Sequence, residues 1–172
     1  MSKIDLFQFC GETRNIDRPF IADGKTYATN GHIAIRVNEV RDDFEEAKVS
    51  VNFLASAVKA FDVDIKNIKP VKVTGMKNER IDCPQCDGTN KIRCECDCPF
   101  CENMVDCYTC NGTGFDYAYT GECSYGNCRF NPKYLHMVQE LPNSKMYASK
   151  RSNGVSYFTF DGGDGILMGK IT

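Results

Sequence analysis

The sequence predicts an α+β domain carrying a loop-rich, metal-bound insert, and three observations support that expectation. Ten of the eleven cysteines fall between Cys83 and Cys128. Upstream of them, two alternating apolar runs flank an Asn-Gly pair, the strongest short-range signal for a β-hairpin. One segment on each side of the cysteines also carries apolar residues at intervals of three and four, as a helix with one buried stripe does.

Length and composition set the outer limits. A chain of 172 residues allows one medium domain, or one domain with a smaller module inserted. A formal net charge of -2 gives no overall pull toward nucleic acid or a membrane. No apolar run approaches the roughly 18 residues that span a bilayer, and the opening MSKIDLFQFC lacks a signal pattern. The expectation is a soluble cytoplasmic protein, a reducing setting in which CxxC pairs bind metal more often than they form disulfides.

In chain order, Ile4, Leu6, Phe7 and Phe9 predict a short first strand, and Cys10, without a cysteine neighbour, reads as a small buried apolar residue. KTYAT and HIAIRV around Asn30-Gly31 predict a two-residue hairpin in which Thr26 faces Ile35 and Ala28 faces Ile33. These and Val37 make one apolar face, with Tyr27, Thr29, His32, Ala34 and Arg36 on the other. His32 then flanks the turn as a surface residue. Val51, Leu54, Ala55, Val58 and Phe61 form the stripe of a first helix, followed by a strand at PVKVTG.

Beyond the cysteines, Asn131 and Pro132 supply a cap and a first helical position, and Tyr134, Leu135, Val138 and Leu141 share a stripe that Pro142 ends. His136 points away from that stripe, toward solvent. Three strands close the chain, around residues 146–150, 155–160 and 166–171. The DGGDG between the last two reads as a turn, since two aspartates repel phosphate and no helix follows. A shift of eighty residues lays Leu54, Ala55, Val58 and Phe61 on Tyr134, Leu135, Val138 and Leu141, which suggests two helix-plus-strands units with the cysteines at their seam.

YATNGHIAIRV resembles the hairpin of bacterial β sliding clamps, and NPKYLHMVQELPNSKMYAS with ILMGKIT is similar to the last helix and strands of a clamp domain. The resemblance implies a clamp-like domain formed by residues 1–82 plus 129–172, two helices on antiparallel sheets, with residues 83–128 inserted. Clamps close a six-domain ring around DNA with basic helices. Here Lys59, Lys133 and His136 are joined by Gln139 and Glu140, which argues against encirclement and leaves the oligomeric state open.

CPQCDGTN at Cys83 and CYTCNGTG at Cys107 share a CxxCxGx frame in which two thiolates reach one tetrahedral zinc from a tight turn. The frame resembles the cysteine-rich zinc domain of DnaJ-type chaperones, which binds two zinc ions. That resemblance implies that Cys83 and Cys86 join Cys123 and Cys128, while Cys98 and Cys101 join Cys107 and Cys110. Cys94 and Cys96 are surplus to it. Two other schemes stay open, a local site of Cys83, Cys86, Cys94 and Cys96, and a pairing of the two best repeats, Cys83, Cys86, Cys107 and Cys110. All ten cysteines are candidate ligands for about two ions. Zinc is favoured over an iron–sulfur cluster by the glycine-bearing CxxC turns. No histidine lies in the stretch and four thiolates leave no open position, so the metal is expected to be structural.

Charge and motif content separate the function classes. Residues 83–128 hold seven acids and two bases, the wrong sign for a DNA-reading finger, and any DNA contact falls to the parent domain. No catalytic frame is recognisable. The expectation is a non-enzymatic interaction protein docking on a protein partner, in replication or repair if the clamp resemblance holds. The alternative is a DnaJ-like chaperone or thiol–disulfide exchange protein, although no HPD motif of a J-domain is present.

Overall fold

The computed structural model describes residues 4–11, 16–41, 44, 56, 58–94, 104–151 and 154–170. The chain divides into a larger unit, Met1–Met76 with Gly121–Thr172, and a smaller one, Lys77–Thr120. The architecture is mixed and dominated by strands.

In the larger unit six antiparallel strands form one sheet, β1 (Phe20–Ala22), β2 (Lys25–Thr29), β3 (Ile33–Val37), β12 (Gly163–Met168), β11 (Val155–Phe160) and β10 (Lys145–Tyr147), in that spatial order. Strands from before and after the cysteine-rich stretch thus meet at the centre, where β3 pairs β12. Alternation sends Ile33, Ile35, Val37, Phe158 and Leu167 to one face, where they pack with Leu135 and Val138 of helix α1 (Pro132–Glu140) and with Leu6, Phe9 and Met146. The opposite face carries a smaller cluster of Phe20, Tyr27, Phe61 and Ile166. Most of the first expected helix lies outside the described residues, but residues 58–60 are helical and Phe61 is buried against this second face.

The hairpin is present with a corrected register. Thr26 pairs Val37 and Ala28 pairs Ile35, so the turn residues are Gly31 and His32 rather than Asn30 and Gly31. The reason is side-chain capping: Asn30 Oδ1 accepts the amides of His32 (3.0 Å) and Ile33 (3.1 Å), and Thr29 Oγ1 accepts that of Gly31. Gly31 alone takes a positive φ, 86°. The slip is two residues, an even number, so the inward and outward faces are unchanged.

Other expectations are revised by the same kind of local physics. Residues 4–9 do not form a strand; Phe7–Phe9 is a 3₁₀ turn that buries Leu6 and Phe9 three positions apart. PVKVTG contributes a single bridge, Val71 to Met146, and buries Val73. In DGGDG only Asp161 and Gly162 turn, and Gly163 and Gly165 are already in β12, where the rings of Phe160 and Phe158 cross them. His136 is half-buried beside Glu140 instead of facing solvent. Helix α1 begins as expected, with the Asn131 side chain accepting the Lys133 amide at 3.0 Å and Pro132 following. Cys10 packs against the core, and burial pushes its thiol up to about 11.

The connections to the smaller unit leave from one place in the larger. The Gln139 side chain of α1 accepts the Met76 amide at 2.8 Å and donates to the Met76 carbonyl at 3.0 Å, as a neighbouring strand would. The chain returns at Gly121, whose φ of 139° and close approach to Met76 leave no room for a Cβ. No described helix is long and apolar enough to cross a membrane.

Candidate metal centre

The described residues of the smaller unit form two ribbons and two knuckles. Strand β4 (Lys77–Asp82) pairs β7 (Phe115–Thr120), and β5 (Lys91–Arg93) pairs β6 (Met104–Asp106), all antiparallel. Each CxxC turn sits between a strand of one ribbon and a strand of the other: β4 leads into Cys83 and β5 leaves it, β6 leads into Cys107 and β7 leaves it.

The two knuckles are near copies, 24 positions apart. Each runs Asp-Cys-x-x-Cys, then Asp or Asn, then Gly-Thr, as Asp82 to Thr89 and as Asp106 to Thr113. Their backbones match residue for residue: φ is 47° at Asp87 and 50° at Asn111, 77° at Gly88 and 71° at Gly112, 61° at Asn90 and 81° at Gly114. Gly88 packs against Asp82 and Gly112 against Asp106, where a Cβ would stand 3.1 and 3.2 Å from the carboxyl atoms. Thr89 and Thr113 each donate to the carbonyl of the second cysteine, Cys86 and Cys110.

The knuckles also brace one another reciprocally. The Cys83 amide donates to the Gly114 carbonyl at 3.0 Å, and the Cys107 amide donates to the Asn90 carbonyl at 2.9 Å. This exchange turns the four thiols inward. Cys83 and Cys107 have no exposed surface, Cys86 and Cys110 almost none, and among the described residues Ile92 packs beside them as an apolar neighbour.

The geometry fits one tetrahedral metal. All four sulfurs lie within 4.8 Å of one another. Cys83 Sγ to Cys107 Sγ and Cys86 Sγ to Cys110 Sγ are both 3.8 Å. A zinc with Zn–S bonds of about 2.3 Å has tetrahedron edges of about 3.8 Å. Of the three pairing schemes, this is the pairing of the two best repeats. Four thiolates held this close need a cation among them. Burial and the neighbouring sulfurs of Cys110 and Cys83 push Cys86 up to about 11. Burial also opposes ionisation of Cys110, but the Gly114 amide, 3.2 Å from its sulfur, and the other thiols outweigh it and bring Cys110 down to about 6.

Three of the remaining candidate ligands are described, and none of them joins this cluster. Cys128 belongs to the larger unit, buried in its main core, with its thiol donating to the carbonyls of Arg151 (2.9 Å) and Ser149 (3.5 Å). Cys123, ahead of the hairpin β8 (Ser124–Tyr125) and β9 (Cys128–Arg129), donates to the Gly121 carbonyl at 3.3 Å. Cys94 is half-buried directly after β5. Cys96, Cys98 and Cys101 lie outside the described residues. Among the described residues the four clustered thiols are the one metal-competent group. The signal that selects them was in the chain, in Asp82 and Asp106 before the first cysteines and Thr89 and Thr113 after the glycines, which extend the shared frame at both ends.

Comparison of the chain with family models, with curated proteins and with solved structures finds no match.

Proposed function

We propose that this chain is a non-enzymatic interaction protein in which zinc, held by Cys83, Cys86, Cys107 and Cys110, keeps a small module folded so that it docks on a protein partner. The observation that carries the reading is the closed geometry of the four thiols, buried and braced by the reciprocal Cys83–Gly114 and Cys107–Asn90 hydrogen bonds. Zinc with four thiolates has no position left for water or substrate, so its contribution is to folding. The smaller unit contains eight acids and four bases, and a tetrathiolate zinc adds two negative charges, which disfavours a phosphate backbone and favours a protein surface. Free thiols fit a reducing, cytoplasmic setting. A place in replication rests on the clamp-like order of hairpin, helix and strands, and any DNA contact would fall to the larger unit.

The thiol-exchange reading has one observation in its favour, the lowered Cys110 thiol. That thiol is buried and is one of the four a metal would bind, so exchange would require the module to open. Two measurements on the full chain decide between the readings. Elemental analysis of protein purified without chelator should give at least one zinc per chain; a value near two extends zinc to the Cys94–Cys101 run. The zinc-loaded chain should leave the disulfides of insulin intact. Metal-free protein that reduces insulin would overturn the docking reading.

A further inference from the structure

The β4–β7 ribbon carries an aromatic ladder that the metal site does not use. In the observed register Asn78, Arg80 and Asp82 of β4 share a face with Phe115, Tyr117 and Tyr119 of β7. The three rings stand in a row, with centroids 5.8 Å apart from Phe115 to Tyr117 and 6.5 Å from Tyr117 to Tyr119. Tyr117 is 44% exposed, so its ring is open to solvent. The chain's own Arg80 lies over Phe115, its guanidinium carbon 3.7 Å from the ring centroid.

The geometry points to this face as the docking surface for an extended basic peptide segment of a partner, with arginines at alternate positions stacking on Tyr117 and Tyr119 and the module's negative charge drawing them in. The inference rests on the docking reading above and names its surface and the chemistry of its partner. Three observations select the occupant. An extended chain repeats its side chains every two residues, about 6.8 Å, close to the ring spacing of the ladder. Arg80 on Phe115 shows within the molecule the stacking that a second guanidinium would repeat on Tyr117. The excess of acids over bases in the unit is complementary to a cationic segment and repels a nucleic-acid strand, the other ligand that aromatic ladders accommodate.

The test is a titration of the zinc-loaded full chain into a fluorescently labelled peptide of alternating arginine and glycine, followed by anisotropy. An oligothymidylate runs in parallel. The peptide is expected to bind, more weakly as salt is raised, and more tightly than the oligonucleotide. Tyr117→Ala and Tyr119→Ala should each weaken it by about three- to tenfold, while Tyr117→Phe stays near the parent, because a phenyl ring keeps the stacking face. Unchanged zinc content in each variant shows that the module still folds. Equal binding by the alanine variants, tighter binding of the oligothymidylate, or no binding of the peptide overturns the inference. A chain that holds zinc, spares insulin and ignores the peptide rejects this surface alone; one that reduces insulin rejects the docking reading beneath it.

Discussion

Cys83 and Cys107 stand 24 positions apart in the chain, yet their sulfurs are 3.8 Å from each other and neither residue has exposed surface. What joins them is the backbone exchange with Asn90 and Gly114, which makes each knuckle the support of the other. Cys107→Ala should therefore do more than remove a ligand. Stoichiometric zinc should be lost, and with it the hydrogen-exchange protection of β4 and β7, since structural zinc supplies on the order of 10 kcal/mol to a module of this kind. The larger unit has its own core around Ile35, Leu135 and Phe158 and should keep its protection.

Gly114 tests the backbone support without touching a sulfur. Its φ is 81°, a Cβ there would stand 2.7 Å from the Gly88 carbonyl oxygen, and its amide holds the Cys110 sulfur. Gly114→Ala should weaken zinc by about 10- to 100-fold, as losses in the shell behind metal ligands do. Competition with a chromogenic chelator measures it. Gly24 is the control, because its φ of 67° is also positive but nothing lies within 4 Å of the position a Cβ would take.

How far the sequence could be read follows from which interactions are local. The CxxC spacing determines a knuckle within eight residues, so the ligand type and both turns were legible. Which knuckle faces which depends on bonds across 24 positions, and the DnaJ-type resemblance draws Cys123 and Cys128 toward Cys83, whereas the Cys128 thiol donates to the carbonyls of Arg151 and Ser149. The same division runs through the larger unit. Alternation gave the faces of β2 and β3 correctly, whereas the register depended on the Asn30 side chain capping two amides, a choice that Asn-Gly alone does not encode. At residues 4–9 the short apolar stretch suits a strand or a helical turn, and burial of Leu6 and Phe9 selects the three-residue spacing of the turn. The aromatic row was legible in the alternation of Phe115, Tyr117 and Tyr119 along FDYAYT, whereas the placing of Arg80 over Phe115 depends on the pairing of β4 with β7.

Proton competition gives the metal centre a pH dependence of known sign. Zinc binds thiolates, so binding releases whatever protons the sulfurs hold, and affinity falls as pH falls. Without zinc the module loses its fold, so its thiols start from the free-cysteine range of about 8.5 and are mostly protonated at pH 7. Close to four protons per zinc should leave near pH 7, and the number should fall as pH rises through about 8.5. Calorimetric titration in buffers of different ionisation enthalpy counts them. The slope of affinity against pH should flatten across the same interval.

Asp164 anchors the second face of the sheet. Its two oxygens take Arg36 Nε at 2.7 Å and Nη2 at 2.8 Å, and Oδ2 also accepts the Tyr157 hydroxyl at 2.6 Å. Arg36 in turn lies over Phe61, which seals the cluster with Tyr27 and Ile166. Asp164→Ala leaves a mostly buried guanidinium without its carboxylate. The larger unit should lose about 3 kcal/mol in denaturant unfolding, the scale for breaking one side of a buried pair. A purely steric effect would leave Tyr157 unmoved. Burial and Asp164 now push that phenol up to about 12, and without the carboxylate its titration, followed by ring-labelled NMR, should move down toward the ordinary tyrosine range.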